Sequence, residues 1–204
     1  MSAFPEPRAA LRRLSRRRAV RLAREASRSS GVPFLVVGGA VRDALLGLTG
    51  RDVDLAVCRG GADALSAALA RLAGTRTVAI GRPPRRILHV PLGRSSVDVW
   101  ETEGDPLADL SRRDFTVNAL AVAFPSGRLV APAGALEDLS ARRLRLPRDG
   151  VLLEDPLRVV RAARFLARLP RFRLDPAALP ELRQAARQLG AVAPERRLAE
   201  LDEV

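Results

Sequence analysis

The sequence predicts an α/β (α+β) chain: a small mixed sheet with flanking helices, followed by a short helical segment. Three observations support this. Short apolar runs bounded by Gly, Pro or charged residues recur through the first two-thirds, as in "FLVVG" (34–38), "DVDLAV" (52–57) and "SSVDVWE" (95–101). That is the pattern of buried or half-buried strands. Amphipathic stretches such as "ADALSAALARLAG" (62–74) stand between them. From residue 135 onward the chain reads as helix throughout, including "LEDPLRVVRAARFLARL" and "PAALPELRQAARQLG". The predicted divisions are a basic N-terminal helix over 1–30, a sheet-bearing domain over 31–134 and a helical segment over 135–204.

Each element follows in order. Residues 5–29, "PEPRAALRRLSRRRAVRLAREASRS", read as one helix with Leu11, Leu14, Val20 and Leu22 on an apolar side. Nine Arg against two Glu in the first 30 residues give +7 there, more than half of the total charge. Such a face either stays solvated or meets a polyanion. "FLVVG" is a buried strand, and "AVRDALLGL" a helix that opens directly after Gly39. "DVDLAV" is the second strand; "RTVAI", "RILHVPL" and "SSVDVWE" are three more, separated by Gly/Pro turns. "LADLSRRDFTVNALAV" (107–122) reads as helical, and "AVAFPSGRLVAP" as a hairpin around Ser-Gly.

The 204 residues are 47% hydrophobic, enough for one medium domain with a helical appendage. Aromatics are only 3% with no Tyr, so Leu, Val and Ala must build the core. All 35 basic residues are Arg, which a coding bias explains. The net charge of +12 still attracts polyanions, with nucleic acid the expected one. A single Cys58 excludes a disulfide framework and fits a reducing compartment. No secretory signal and no apolar run long enough to span a bilayer is evident, so a cytoplasmic protein without a membrane role is expected. His89 is the only histidine, which rules out a His-based metal site or a Ser-His triad; it reads as a strand residue. Cys58 reads as inert, and Trp100 as core or rim.

Three clusters carry chemistry. In the first, an apolar strand ends at Gly38-Gly39, a helix follows with Arg42 in its first turn, and Asp52 and Asp54 open the next strand. Glycines let a backbone approach a phosphate closely, and a helix N-terminus favours anions. Alternation on a strand puts Asp52 and Asp54 on one face, about 7 Å apart at Cα. Two such carboxylates suit Mg²⁺, whose remaining shell comes from water and phosphate oxygens. Two-metal phosphoryl transfer wants a third acid, and Asp98 is the candidate. The second cluster is "RRDFTVNAL" (112–120). Asp114 or Thr116 could merely cap a helix; the functional alternative is an Arg for phosphate or ribose and an Asp for a sugar hydroxyl. The third is "EDPLRVVRAAR" (154–164). If helical, Asp155 and Arg158 share a face, as do Arg158, Arg161 and Arg164. Such pairs are often surface salt bridges. A carboxylate beside a guanidinium also complements the amino donor and ring-nitrogen acceptor of cytosine and adenine, and mispairs with uracil and guanine.

Together, "GGAVRDALLG…RDVDLAV", "RRDFTVNALA" and "LEDPLRVVRAARF", in this order, resemble the class II tRNA nucleotidyltransferases (CCA-adding enzymes) and the related bacterial poly(A) polymerases. The resemblance covers roughly residues 32–169. It implies a nucleotidyltransferase-type head followed by a helical neck-like segment. It implies Mg²⁺ on Asp52 and Asp54, with Gly38, Gly39 and Arg42 at the triphosphate. It implies Arg113, Asp114 and Asn118 at the ribose and phosphates, Asp155 and Arg158 at the incoming base, and Arg161 and Arg164 lining the nucleotide pocket. The implied substrates are CTP and ATP, and the implied partner is the 3′ end of tRNA or another RNA. Two features depart from the family pattern. Only "ETEGDPLADLS" separates "SSVDVW" from "RRDFT", a shortening that resembles enzymes adding the two cytidines alone. The helical part after the head is also short, so the expectation is a chain whose tRNA-gripping helices come from a partner, a fragment, or a chain whose RNA binding depends on the basic N-terminal helix.

Overall fold

The computed structural model describes residues 7–82, 86–102 and 104–202. Residues 1–6 of the predicted basic helix lie outside that range. The chain forms two compact units: the described residues within 1–110 and 120–131, and those within 111–119 and 132–204.

Unit 1 is built on a seven-stranded sheet. Its strands are β1 (Phe34–Val37), β2 (Val53–Cys58), β3 (Val78–Ile80), β4 (Ile87–Pro91), β5 (Ser96–Thr102), β6 (Ala121–Phe124) and β7 (Leu129–Val130). The spatial order is β3-β4-β5-β2-β1-β6-β7, which places β2 at the centre. β2 and β5 run parallel, and the other neighbouring pairs antiparallel. The apolar runs explain the order: Val36, Val37, Leu55, Ala56, Val97 and Val99 are all buried in the central strands. The edge strands are less covered: Val78 and Ile80 of β3 are exposed, and both residues of β7 are half-buried.

Helices α1 (Pro7–Arg16), α2 (Arg18–Ser30), α3 (Gly39–Leu46), α4 (Ala62–Ala73) and α5 (Pro106–Leu110) complete unit 1. The basic N-terminal stretch is two helices, not one, because Arg17 takes an extended conformation (φ −64°, ψ 133°). α1 packs on α3 and α2 on α4. The apolar side read from the sequence is the anchor: Leu14 and Val20 are fully buried, joined by Ala19, Ala23 and Ala26. These helices are therefore part of unit 1, and some of their arginines also bind back onto it: Arg13 donates to the Ala44 carbonyl and Arg18 to the Leu92 carbonyl.

The turn from β1 into α3 depends on Gly38. Its φ of 69° with ψ −134° is a combination that a side chain strongly resists, and its N–H donates to the Leu120 carbonyl at 2.8 Å. Gly38→Ala is expected to destabilise unit 1 by about 2 kcal/mol, read as a lower urea midpoint with an unchanged slope.

The segment 107–122, which the sequence suggests is one helix, is broken into three pieces. α5 ends at Leu110, Phe115 is extended, and a single 3-10 turn spans Thr116–Asn118 before β6 begins. Phe115, Thr116 and Val117 are all fully buried, and β-branched or aromatic side chains in succession favour extended backbone. The boundary at 134 also differs from the compact units, since 111–119 packs within unit 2 and 120–131 within unit 1.

Unit 2 contains α6 (Ala135–Ser140), β8 (Arg143–Leu144), α7 (Val151–Glu154), α8 (Leu157–Arg168), β9 (Arg173–Leu174), α9 (Leu179–Ala186) and α10 (Pro194–Asp202). The sequence reads as helix throughout here, yet β8 and β9 pair in parallel. The core of unit 2 includes Phe115 against Phe165, an edge-to-face pair with centroids 5.9 Å apart. Beside it lies Asp138, completely buried. Its Oδ1 accepts from Arg143 Nε at 2.8 Å, and its Oδ2 accepts from Arg145 Nε and the Thr116 hydroxyl, both at 2.7 Å. Thr116 N–H donates in turn to the Arg145 carbonyl at 2.9 Å. One carboxylate thus ties α6, β8 and the 3-10 turn together.

Candidate functional site

The site residues of unit 1 surround the central strand. Asp52 stands at the entry to β2 and is exposed, while Asp54 within β2 is half-buried. Asp52 Oδ1 accepts from the Ser96 N–H at 2.8 Å and the Ser96 hydroxyl at 2.9 Å, which fixes the loop before β2 against β5. Asp54 is the register partner of Asp98 on β5, and Asp98 is the register partner of His89 on β4. Partners in register point to the same face, so Asp54, Asp98 and His89 form a row across three neighbouring strands, with adjacent strands about 4.8 Å apart. His89 Nδ1 lies 2.7 Å from Asp98 Oδ1. Two carboxylates directly opposed across a strand pair repel each other, and Asp is disfavoured in strands to begin with. Like charges thus stand in register at the centre of the sheet, with His89 against Asp98.

Among the described residues, no three His, Cys, Asp or Glu side chains converge closely enough to hold a metal ion by themselves. Asp98 is turned toward His89, and Asp52 toward Ser96. Asp52 and Asp54 nevertheless fit Mg²⁺ in donor chemistry, because that ion needs only one or two protein carboxylates when phosphate oxygens and water complete its shell.

On the other side of β1, Gly38 and Gly39 open α3. A methyl group on Gly39 would sit 3.5 Å from Arg42 Nη2, so the Arg42 guanidinium lies against the Gly39 backbone. Arg42 is only 8% exposed, and its Nε and Nη2 donate to Asp43 Oδ1 at 2.9 and 2.7 Å. Buried and chelated by Asp43, this arginine is held in one orientation with its positive field beside the glycines.

The site residues of unit 2 gather around Asp114. That carboxylate is 4% exposed; its Oδ1 accepts from the Phe115 N–H at 2.8 Å and from Asn118 Nδ2 at 2.9 Å. No side chain caps the 3-10 turn, so the capping alternative holds only in the sense that Asp114 braces it. Arg161 Nη1 donates to Asp114 Oδ2 at 3.4 Å. Arg161 also spans Glu200, with Nε and Nη2 each 3.2 Å from one oxygen, and Arg164 Nη1 reaches Glu200 Oε1 at 2.9 Å. Burial works against the Arg161 charge, but Asp114 and Glu200 outweigh it and raise its pKa. Arg158 is different. Burial dominates and lowers its pKa, with Asp114, Asp155 and Glu154 opposing, and its Nη1 donates to the Val151 carbonyl at 2.8 Å. Arg113 is half-buried in the same segment.

The expected helical face shared by Asp155 and Arg158 is not formed in that way. Pro156 pushes the residue before it out of the helical region, and Asp155 is extended (φ −147°, ψ 95°) ahead of α8. Its Oδ1 accepts from the Leu157 N–H at 3.3 Å, and its Oδ2 accepts from Arg196 at 3.3 Å. Arg158, Arg161 and Arg164 do lie in α8. Glu200, 8% exposed, is the member that sequence reasoning missed. It lies in "PERRLAELDE", where nothing local distinguishes it from a surface acid.

The seven-stranded mixed sheet with an aspartate pair at its centre, beside a strand–Gly-Gly–helix, defines the class of nucleotidyltransferase head domains. Comparison with known proteins narrows this. Residues 83–145 match the family model for the poly(A) polymerase head domain. A CC-adding tRNA nucleotidyltransferase of Geobacter sulfurreducens is 40% identical over 172 residues, covering 83% of this chain and 40% of that protein. A protein of the same description from Synechocystis is 39% identical, covering 82% and 40%. Among solved structures, the Thermotoga maritima CCA-adding enzyme complexed with tRNA superposes with a TM-score of 0.81 at 28% identity, covering 100% of this chain and 51% of that one. The chain belongs to the tRNA nucleotidyltransferase and poly(A) polymerase family. It spans about 40% of the length of the curated relatives named here.

Proposed function

We propose that this chain carries the catalytic part of a template-independent RNA nucleotidyltransferase, adding CMP from CTP, and AMP from ATP less well, to the 3′ end of tRNA in the cytoplasm. The 3′-hydroxyl oxygen attacks the α-phosphorus, the bond from that phosphorus to the bridging oxygen breaks, and pyrophosphate leaves. The observation that carries the reading is the Asp54–Asp98 juxtaposition on the two parallel central strands, two carboxylates in register beside Asp52, whose donor chemistry suits a divalent cation. Asp52 and Asp54 would hold Mg²⁺, with Asp98 the third acid of the row. Mg²⁺ supplies charge neutralisation at the phosphates.

The chain's own residues bind and orient. Gly38 and Gly39 allow close backbone approach by the triphosphate, and Arg42 adds a fixed positive charge there. Arg113, Asp114 and Asn118 attend to the ribose and phosphates, with Asp114 held in place by its bonds from the Phe115 N–H and Asn118. Asp155 and Arg158 read the base edge, and Arg161 and Arg164 line the nucleotide pocket. For Asp155 to accept from a base, it must exchange its bond to Arg196, which at 58% side-chain exposure is readily displaced. Catalysis of this kind rests on positioning and electrostatics.

The preference for C rests on the short 101–111 segment and on the similarity to two CC-adding tRNA nucleotidyltransferases. The test incubates the chain with Mg²⁺, labelled CTP or ATP, and tRNA lacking its 3′ CCA. Extension by C alone, at least roughly tenfold over A (about 1.4 kcal/mol), is the expected result. Equal use of both nucleotides removes the loop argument. The head-domain family model also admits a poly(A) polymerase reading, and growth with ATP alone on any RNA would select it. No extension, even with a chain supplying the missing helical domains, would leave only a nucleotide-binding module.

A further inference from the structure

Unit 1 holds a second feature that none of the assigned residues explains. An open pocket of about 290 Å³ is lined by Arg17, Arg18, Arg51 and Arg94, with Gly50, Ser95 and Ala19 between them. Four arginines from three separate parts of the sequence therefore line one space. Arg17 Nη1 is buried with no hydrogen-bond partner, a costly condition for a charged donor. Burial lowers the Arg17 pKa, and Asp43 only partly offsets this. The N-terminus of α2 opens on the same pocket, since Arg17 is its N-cap and Arg18 and Ala19 are its first residues. No side chain caps it, so its first N–H groups add to the positive field.

Two acids nearby are engaged elsewhere, although Asp43 still offsets part of the cost of burying the Arg17 charge. Asp43 is already chelated by Arg42, and Asp52 faces Ser96. Arg18 is steadied by donating to the Leu92 carbonyl at 3.1 Å. Arg51 and Arg94 are exposed. The lining carries four arginines and no acidic side chain. It suits a small, multiply accepting oxyanion.

We infer that this four-arginine pocket binds a backbone phosphate of the acceptor RNA, a few nucleotides from the 3′ end. The pocket borders the site by chain connectivity: Arg51 precedes Asp52, and Ser95 precedes the Ser96 that holds Asp52. A strand whose 3′-hydroxyl lies by the aspartates passes its neighbouring phosphates along this rim. The inference rests on the RNA-extending reading above, although its test does not require turnover.

The same phosphate chemistry could come from a free nucleotide or pyrophosphate, and the experiment separates the sources. Fluorescence anisotropy would follow binding of a labelled tRNA lacking CCA to the parent chain, to Arg18→Ala/Arg94→Ala, to Arg94→Ala alone and to Arg94→Lys, across a salt series. CTP and pyrophosphate binding would be measured in parallel. The expected result is RNA affinity about tenfold or more lower at 0.1 M salt for the double variant. The slope of log K against log salt should fall by about two for the double variant and about one for Arg94→Ala. Arg94→Lys should restore most of the slope, and CTP affinity should not move. Arg94 is exposed, so its single variant reads the charge without disturbing the fold. Unchanged RNA binding in the variants overturns the inference, as does an absence of RNA binding by the parent. A shift in CTP or pyrophosphate affinity instead reassigns the pocket to the nucleotide and overturns the RNA assignment. If RNA binding depends on the pocket but no nucleotide is transferred, the enzymatic reading fails while the pocket stands.

Discussion

Asp54→Asn is expected to lower nucleotide transfer roughly a thousandfold or more, about 4 kcal/mol of transition-state stabilisation, while leaving the protein as stable as before or slightly more so. The opposite signs follow from the sheet. Asp54 faces Asp98 across the parallel β2–β5 pair, and opposed like charges on neighbouring strands cost about 0.2–1 kcal/mol each. Asparagine keeps the shape and, by removing one of the two charges, removes the repulsion between them, so folding gains slightly while the cation seat is lost. A carboxylate placed there for structure would behave the other way, losing stability along with activity. The measurement is twofold: single-turnover CTP incorporation, and the urea midpoint with and without Mg²⁺. The parent should be stabilised by the ion according to mass action, and the variant much less. A variant that loses more than about 1 kcal/mol of stability together with its activity would make Asp54 a structural acid and remove the main support for the proposed chemistry.

The central sheet was legible because its strands are short apolar runs closed by glycines, and a side-chain period of two is a local signal. Asp52, Asp54 and Asp98 could be found for the same reason: each interrupts an otherwise apolar strand. The hairpin at Ser126-Gly127 was equally local, and β6 and β7 pair there as expected. What failed depended on long-range burial. The 107–122 stretch carries helical spacing, but burial of Phe115, Thr116 and Val117 in the core of unit 2 overrides it. β8 and β9 are two residues each, too short to show a period. Asp155 is the instructive case, because the following Pro156 signalled an extended residue and the i, i+3 spacing argued past it. Glu200 and the His89–Asp98 contact were invisible because their partners are 39 and 9 residues away and nothing local marks them.

Asp138→Ala is expected to destabilise unit 2 by about 3 kcal/mol, the low end of what breaking a buried ion pair costs. The low end applies because the arginines it pairs, Arg143 and Arg145, keep 46% and 34% of their side chains exposed and can recover water. The carboxylate itself has no exposure, and the Thr116 hydroxyl that donates to it is also buried. Loss of Asp138 therefore leaves a buried hydroxyl without its acceptor and loosens the 3-10 turn, on which Asp114 and Asn118 are set. The consequence for function is weaker nucleotide binding without any change at the aspartates of unit 1. Trp100 lies in β5 of unit 1, so its fluorescence reports that unit, while far-UV circular dichroism also follows the helices of unit 2. The variant should lower the urea midpoint by circular dichroism more than by Trp100 fluorescence, and raise the Kd for CTP. Asp138→Asn, which keeps one acceptor oxygen, should fall between the two. Coincident, unchanged transitions in Asp138→Ala would mean that the Arg143–Asp138–Arg145 network is not what holds the turn, and that the packing of Phe115 against Phe165 suffices.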